Sequence, residues 1–129
     1  MKKILIASLM LVAANAAFAT TTGKDLAAGS NMVTMADCAA VSGSMLQQNV
    51  PLNLSAGNIG RVSCDDATAN LGVAVANVNG KNNIYTASSA GGSVAPSTSP
   101  ASPLTTTPTQ ANVTTAADAS SAIASASGS

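Results

Sequence analysis

Apolar residues recur at helical spacing in the segment that follows Thr34. Residues 34–37 (Thr-Met-Ala-Asp) have the form of a capping box, in which a threonine and an acidic residue satisfy each other's backbone amides at a helix start. The helical apolar set is Ala36, Ala40, Val41, Met45 and Leu46. This pattern predicts a helix over residues 35–48, in which Gly43 costs about 1 kcal/mol relative to alanine.

Alternation of apolar and polar residues replaces the helical spacing further along the chain. It marks the segments Val50–Leu54 and Leu71–Val75, and it predicts two strands, the second over residues 71–78. Asn79-Gly80 is typical of a type I′ hairpin turn, so we expect residues 81–87 to pair with the second strand. Gly57 and Gly60 bracket another predicted turn at residues 58–59.

The N-terminal pattern is that of a bacterial secretory signal peptide. Two lysines precede an apolar run over residues 4–14, which is too short to span a bilayer. Small residues then occupy the two positions that a signal peptidase must accommodate, Ala17 and Ala19. We therefore expect residues 1–19 to be removed, and the mature chain to be periplasmic or secreted, with no transmembrane segment.

Composition divides the mature chain near residue 88. From Ser88 to Ser129, 35 of 42 residues are Ser, Thr, Ala, Pro or Gly, and Asp118 is the one charged residue. Such a segment has few large side chains to offset its ordering entropy, so we expect a disordered low-complexity tail over residues 88–129. The larger apolar residues concentrate in residues 20–87, which we expect to form one small domain.

Cys38 and Cys64 are the two cysteines of the chain. In an oxidising compartment they are expected to form a disulfide, and a thin apolar core needs such a staple. The competing hypothesis is a copper(I) site, because Met32, Met35 and Cys38 recur every three residues and supply soft sulfur ligands. It requires a free Cys38, so we expect Met32 and Met35 to be core residues and no metal or other cofactor to be bound.

Charge and residue types exclude several classes of function. Three cations and five carboxylates leave the mature chain with a net charge of −2, without the clustered Lys and Arg that nucleic-acid binding requires. Histidine and glutamate are absent, so a Ser-His-Asp triad and a His-based zinc site are impossible in this chain alone. We therefore expect neither an enzyme nor a nucleic-acid partner.

Hydroxyl groups next to prolines make the tail a candidate glycan carrier. The candidate O-glycosylation sites are Ser97, Ser99, Thr106 and Thr107. An unmodified linker is the alternative interpretation of the same composition.

Together these patterns predict a small α+β fold: one helix, over about residues 35–48, stapled by a disulfide to a short antiparallel β-meander and followed by a disordered tail. The leading hypothesis is a non-enzymatic cell-envelope or secreted protein with a structural, adhesion or assembly role, which associates with itself or with an envelope or surface partner. The Asn- and Gly-containing strand 71–78 is a candidate for pairing with a neighbour. The alternative hypothesis is a periplasmic ligand- or metal-binding stress accessory protein.

Overall fold

A computed structural model of the chain describes residues 21–41 and 43–123. The predicted signal peptide, residues 1–19, and its cleavage site lie outside the described residues, so that interpretation remains a prediction.

A five-stranded antiparallel sheet forms the centre of the fold. Its strands are β1 (Thr21–Leu26), β6 (Asn58–Asp65), β7 (Asn70–Asn77), β8 (Ile84–Ser88) and β9 (Ala95–Pro96). They lie in the order β1-β6-β7-β8-β9, and β6 to β9 follow one another along the chain as a meander. β7 is therefore central, and β1 and β9 form the two edges of the sheet.

A second, smaller layer covers part of one face of this sheet. Its strands are β2 (Gly29–Val33), β3 (Ala39–Ala40), β4 (Gly43–Ser44) and β5 (Val50–Leu54). They form two antiparallel pairs, β2 with β5 and β3 with β4, and the layer also contains one turn of 3-10 helix at Met35–Cys38. We call this the disulfide layer, because Cys38 in the 3-10 turn bonds to Cys64 on β6.

The other face of the sheet carries the helix α1 (Gln110–Ser121). Thr109 caps its first turn: the Thr109 side chain accepts a hydrogen bond from the Asn112 amide, and the Asn112 side chain accepts one from the Thr109 amide. The buried residues of α1 are all small or medium in size: Val113, Ala116, Ala117, Ser120 and Ser121.

Alternation along the strands builds one core on each face of the sheet. On β7, Ala74 and Ala76 face α1, whereas Leu71 and Val73 face the disulfide layer. The helix-side core contains Ala74, Ala76, Ile84, Val113, Ala116 and Ala117. The disulfide-side core contains Leu26, Val33, Cys38, Val62 and Cys64.

Gly72 lets the helix approach the sheet closely. A Cβ atom built on Gly72 would collide with three atoms of α1, each nearer than the 3.0 Å that real Cβ atoms keep. These atoms are the carbonyl oxygen of Ala117, Oγ of Ser120 and the backbone nitrogen of Ser121. Two of the three belong to the main chain, so the helix backbone itself packs against β7 at this point.

The structure confirms a small α+β fold with one α-helix among the described residues and a Cys38–Cys64 disulfide. The two Cα atoms are 5.3 Å apart, and both cysteines are fully buried. The disulfide joins the 3-10 turn to β6; it does not join an α-helix to the meander.

The helix predicted over residues 35–48 is wrong. The capping box forms as expected, but it begins only one 3-10 turn. Ala39 is already extended, with ψ of 138°, and Gly43 has a φ of +131°, which no α-helix allows. Val41, which the helical pattern assigned to the buried face, lies between β3 and β4 with 97% of its surface exposed.

The strand predictions agree with the structure better than the turn predictions. Residues 50–54 form β5, and the predicted strand 71–78 corresponds to β7, which pairs with β8. The type I′ turn at Asn79-Gly80 is wrong, because neither residue has the positive φ that this turn requires and the connection spans residues 78–83. The turn predicted at residues 58–59 lies slightly earlier, around Gly57, where φ is +79°.

The prediction of disorder from Ser88 onward is wrong for residues 88–123. β9 pairs with β8, Leu104 packs against the helix-side core, and α1 covers the sheet. This segment contains few large apolar side chains, but its small side chains allow backbones to pack closely, and close packing supplies the dispersion contacts instead. Residues 124–129 lie outside the described part of the chain.

Candidate functional site

A cleft with a volume of about 440 Å³ opens on the face of the sheet that the disulfide layer only partly covers. Ligand-binding clefts commonly have volumes of about 300 to 1,000 Å³. The cleft is lined by Asn58, Val75, Asn77, Lys81, Asn83 and Tyr85, and also by Ala76, whose side chain belongs to the helix-side core. It combines a short apolar floor with amide, ammonium and phenol groups.

The cleft exists because β7 extends beyond the disulfide layer. Leu71 and Val73 pack against the disulfide-side core, and two residues further along the same face Val75 lines the open cleft. Tyr85 lies directly opposite Val75 in the pairing of β7 with β8. Its side chain is 47% exposed, so a regular strand holds an aromatic ring at the cleft with nearly half of its surface open to solvent.

Hydrogen bonds fix the β7–β8 connection that carries Lys81 and Asn83. The Asn77 side chain donates to Oδ1 of Asn58 at 2.8 Å and accepts from the Asn79 amide at 2.8 Å. The Asn82 carbonyl accepts from the Leu104 amide at 2.8 Å. The segment is thus attached to neighbouring strands and loops on both sides of Lys81.

Several polar groups of the cleft remain available for a ligand. Among the described residues, the side chains of Lys81, Asn83 and Tyr85 form no hydrogen bond or ion pair with one another or with other residues. Within residues 21–41 and 43–123, no carboxylate lines the cleft. An ammonium group and an amide on the β7–β8 connection, and a phenol hydroxyl on β8, therefore line one cleft with their bonding capacity open.

A second polar group of residues lies on the helix side of the sheet. The Arg61 guanidinium is 2.8 Å from Oδ1 of Asp25 and 3.6 Å from Oδ1 of Asp118, and its Nε donates to Oγ of Ser63 at 3.1 Å. The Ser63 hydroxyl in turn donates to Asp118. Ser63 is fully buried, so no substrate can reach its hydroxyl in this fold, and the network joins α1 to β1 and β6.

Asp37, the acidic residue of the capping box, has a lowered pKa. A hydrogen bond from the Thr34 backbone amide lowers the pKa of Asp37 below its ordinary value of 3.8, and desolvation opposes this shift. The Thr34 hydroxyl and the charge of Lys24 lower the pKa further. The carboxylate form of Asp37 therefore stabilises the 3-10 turn that carries Cys38.

The sulfur residues proposed for copper do not form a thiolate site in this structure. Cys38 is bonded to Cys64, and Met32 and Met35 are exposed instead of packing in the core as we expected. Over the described residues, no group of three or more His, Cys, Asp or Glu side chains is placed to hold a metal ion.

The candidate O-glycosylation sites differ in exposure. Ser99, Thr106 and Thr107 are exposed. Ser97 is buried, and its hydroxyl accepts a hydrogen bond from the Ser99 amide at 3.2 Å, so the folded backbone shields it.

Sequence reasoning did not identify the cleft residues. A signal was present in the chain: four asparagines and Lys81 lie between residues 77 and 83, and Tyr85, the one aromatic residue that follows the predicted signal peptide, comes two residues later. We interpreted Asn79-Gly80 as a tight turn, and that interpretation left the other asparagines without a role.

Comparison of the chain with protein-family models, curated proteins and solved structures finds no match. No helix in the described part of the chain is long and apolar enough to cross a membrane.

Proposed function

We propose that this protein is an exported, non-enzymatic cell-envelope or secreted protein that acts in adhesion, using the cleft at Tyr85 to bind a surface ligand. The observation that carries the proposal is the set of unpaired polar groups around a half-exposed aromatic ring on a regular sheet. Export is supported by the N-terminal sequence pattern, and the disulfide is compatible with an oxidising compartment.

Binding suits the chemistry of the cleft better than catalysis does. Amide, ammonium and phenol groups recognise and orient ligands, but the described residues that line the cleft include no carboxylate, thiol or imidazole that could act as a general base near neutral pH. The Ser63–Asp118 pair is built into the contact between sheet and helix, which supports a structural role for it.

Self-association through the strand 71–78 loses its support, because β7 is paired on both sides, with β6 and with β8. Strand addition to the five-stranded sheet would use β1 or β9, the strands at its edges. For glycosylation, the exposed hydroxyls of Ser99, Thr106 and Thr107 remain the candidate acceptors. The metal-binding alternative has little support with Cys38 in a disulfide, and the ligand-binding alternative would use the same cleft.

The test is adherence of the purified mature protein to cells and to extracellular matrix. We compare wild type with Tyr85→Ala, and we use Val41→Ala as a matched control because Val41 is also exposed but lies in the disulfide layer, outside the cleft. We expect wild type and Val41→Ala to adhere equally and Tyr85→Ala to lose about tenfold, since aromatic residues dominate binding surfaces. Absence of adherence by wild type, or full adherence by Tyr85→Ala, would overturn the proposal.

A further inference from the structure

We infer that the ligand of the cleft is an anionic saccharide, with a pyranose ring against Tyr85 and its acidic group facing Lys81. This inference rests on the proposed adhesive function and specifies the chemistry of the same site.

The amide groups favour a ligand rich in hydroxyls. An amide side chain donates through nitrogen and accepts through oxygen, and a hydroxyl group likewise does both, so the two pair in several relative orientations. Asn58, Asn77 and Asn83 place three such amides around one cleft. Because Asn77 is already bonded to Asn58 and to the Asn79 amide, its position is fixed before a ligand arrives.

Tyr85 provides the apolar part of the recognition. The ring hydrogens of a pyranose form a flat apolar face, and such a face packs well against an aromatic ring. Tyr85 is half-exposed at the cleft with Val75 beside it, whereas every other aromatic residue of the sequence lies in the predicted signal peptide. The same ring offers no stacking platform for successive nucleobases, and the chain lacks the basic residues that a nucleic acid would require.

Lys81 specifies the charge of the ligand. Of the three cations in the predicted mature chain, Arg61 forms ion pairs with two aspartates. The pKa of Asp37 is lowered mainly by the hydrogen bond from Thr34, and Lys24 lies near enough to Asp37 for its charge to lower that pKa further. Lys81 has no carboxylate partner among the described residues, and none lines the cleft around it. An anionic group on the ligand would supply the missing partner.

The test measures saccharide binding to the full mature chain by calorimetry. The probes are a uronic-acid oligosaccharide, its carboxyl-reduced neutral counterpart and a sulfated oligosaccharide of similar length. The variants are Lys81→Gln and Tyr85→Leu, with Lys24→Gln as the control because it removes the same charge outside the cleft. Unchanged melting temperatures establish that each variant is folded.

We expect at least one anionic probe to bind about threefold to fivefold more tightly than the neutral probe, as for one partly exposed ion pair. Lys81→Gln should abolish this preference without weakening the neutral probe, Tyr85→Leu should weaken all probes, and Lys24→Gln should match wild type. Whichever anionic probe binds most tightly, the uronic-acid or the sulfated oligosaccharide, identifies the acidic group of the ligand as a carboxylate or a sulfate.

Equal affinity for neutral and anionic probes, or a preference that survives Lys81→Gln, would overturn the inference. Failure of every saccharide to bind, with Tyr85-dependent adherence intact, would also overturn it while leaving the adhesive function in place. Loss of adherence altogether would instead count against the proposed function, so the two failures are distinguishable.

Discussion

Replacing Gly72 with alanine tests the closest contact between the helix and the sheet. The added methyl group would collide with the Ala117 carbonyl oxygen, Ser120 Oγ and the Ser121 nitrogen. Gly72 does not have a positive φ, so backbone conformation adds no cost and the effect of the substitution is steric. Because two of the three atoms are main-chain atoms, α1 must move as a body to make room.

We expect Gly72→Ala to lower the free energy of unfolding by about 2 to 3 kcal/mol, the upper part of the range for overpacked sites. Val113, Ala116 and Ala117 are buried against the strands in the wild-type protein, and displacing α1 loosens these contacts. Urea unfolding followed by far-ultraviolet circular dichroism measures the change, with the disulfide kept oxidised.

Gly80→Ala is the matched control, because Gly80 also lacks a positive φ and a Cβ there would lie 3.2 Å from its nearest neighbour, Cβ of Asn77. We expect Gly80→Ala to change stability by no more than about 0.5 kcal/mol. Adding Ser120→Ala to Gly72→Ala should restore little stability, since it removes only the side-chain collision. A Gly72→Ala protein as stable as wild type would refute the close approach of helix and sheet.

Two further predictions concern the disulfide layer. Replacing Cys38 and Cys64 with serine opens a loop with a sequence separation of 26 and should lower the free energy of unfolding by about 3.5 kcal/mol. Urea unfolding measures this change, with reduced wild-type protein as the control. A decrease of less than about 1 kcal/mol would contradict the prediction. Because folding lowers the pKa of Asp37, its carboxylate stabilises the folded protein at pH values above the ordinary pKa of 3.8. This contribution is lost as the pH falls through the lower pKa of the folded state. The stability advantage of wild type over Asp37→Asn should therefore be present at about pH 6 and shrink below about pH 4, whereas a constant difference across this range would exclude the linkage.

Sequence patterns predicted the elements that carry large apolar residues. Leu71, Val73 and Val75 alternate strictly, and β7 forms where that alternation lies. The capping box at residues 34–37 also forms, because its hydrogen bonds are local. The chain does not continue into an α-helix after the capping box, because Gly43 has a positive φ and the Cys38–Cys64 bond ties the chain to β6. The disulfide is a tertiary constraint, and the spacing of apolar residues carries no information about it.

The helix α1 was not predicted from the sequence, for a different physical reason. Its buried residues are mostly alanine and serine, which we interpreted as signs of disorder. They become core residues only because Gly72, about forty-five residues earlier, leaves room for the helix backbone. The cleft was not predicted for a related reason. Val75 and Tyr85 are adjacent only through the register of β7 and β8, and the open space around them depends on where the disulfide layer ends.

The topology has a consequence for the order in which the chain can be completed. Of the strands described, β1 is made first, yet its partner residues run from Gly60 to Asp65, so the whole disulfide layer is synthesised before β1 can pair. β6, β7 and β8 can pair soon after they emerge, but the face carrying Ala74, Ala76 and Ile84 stays uncovered until the twelve residues of α1 arrive. A chain that has not yet reached Gln110 would therefore present an apolar sheet face to water and to other nascent chains, and aggregation would compete with folding until α1 covers that face.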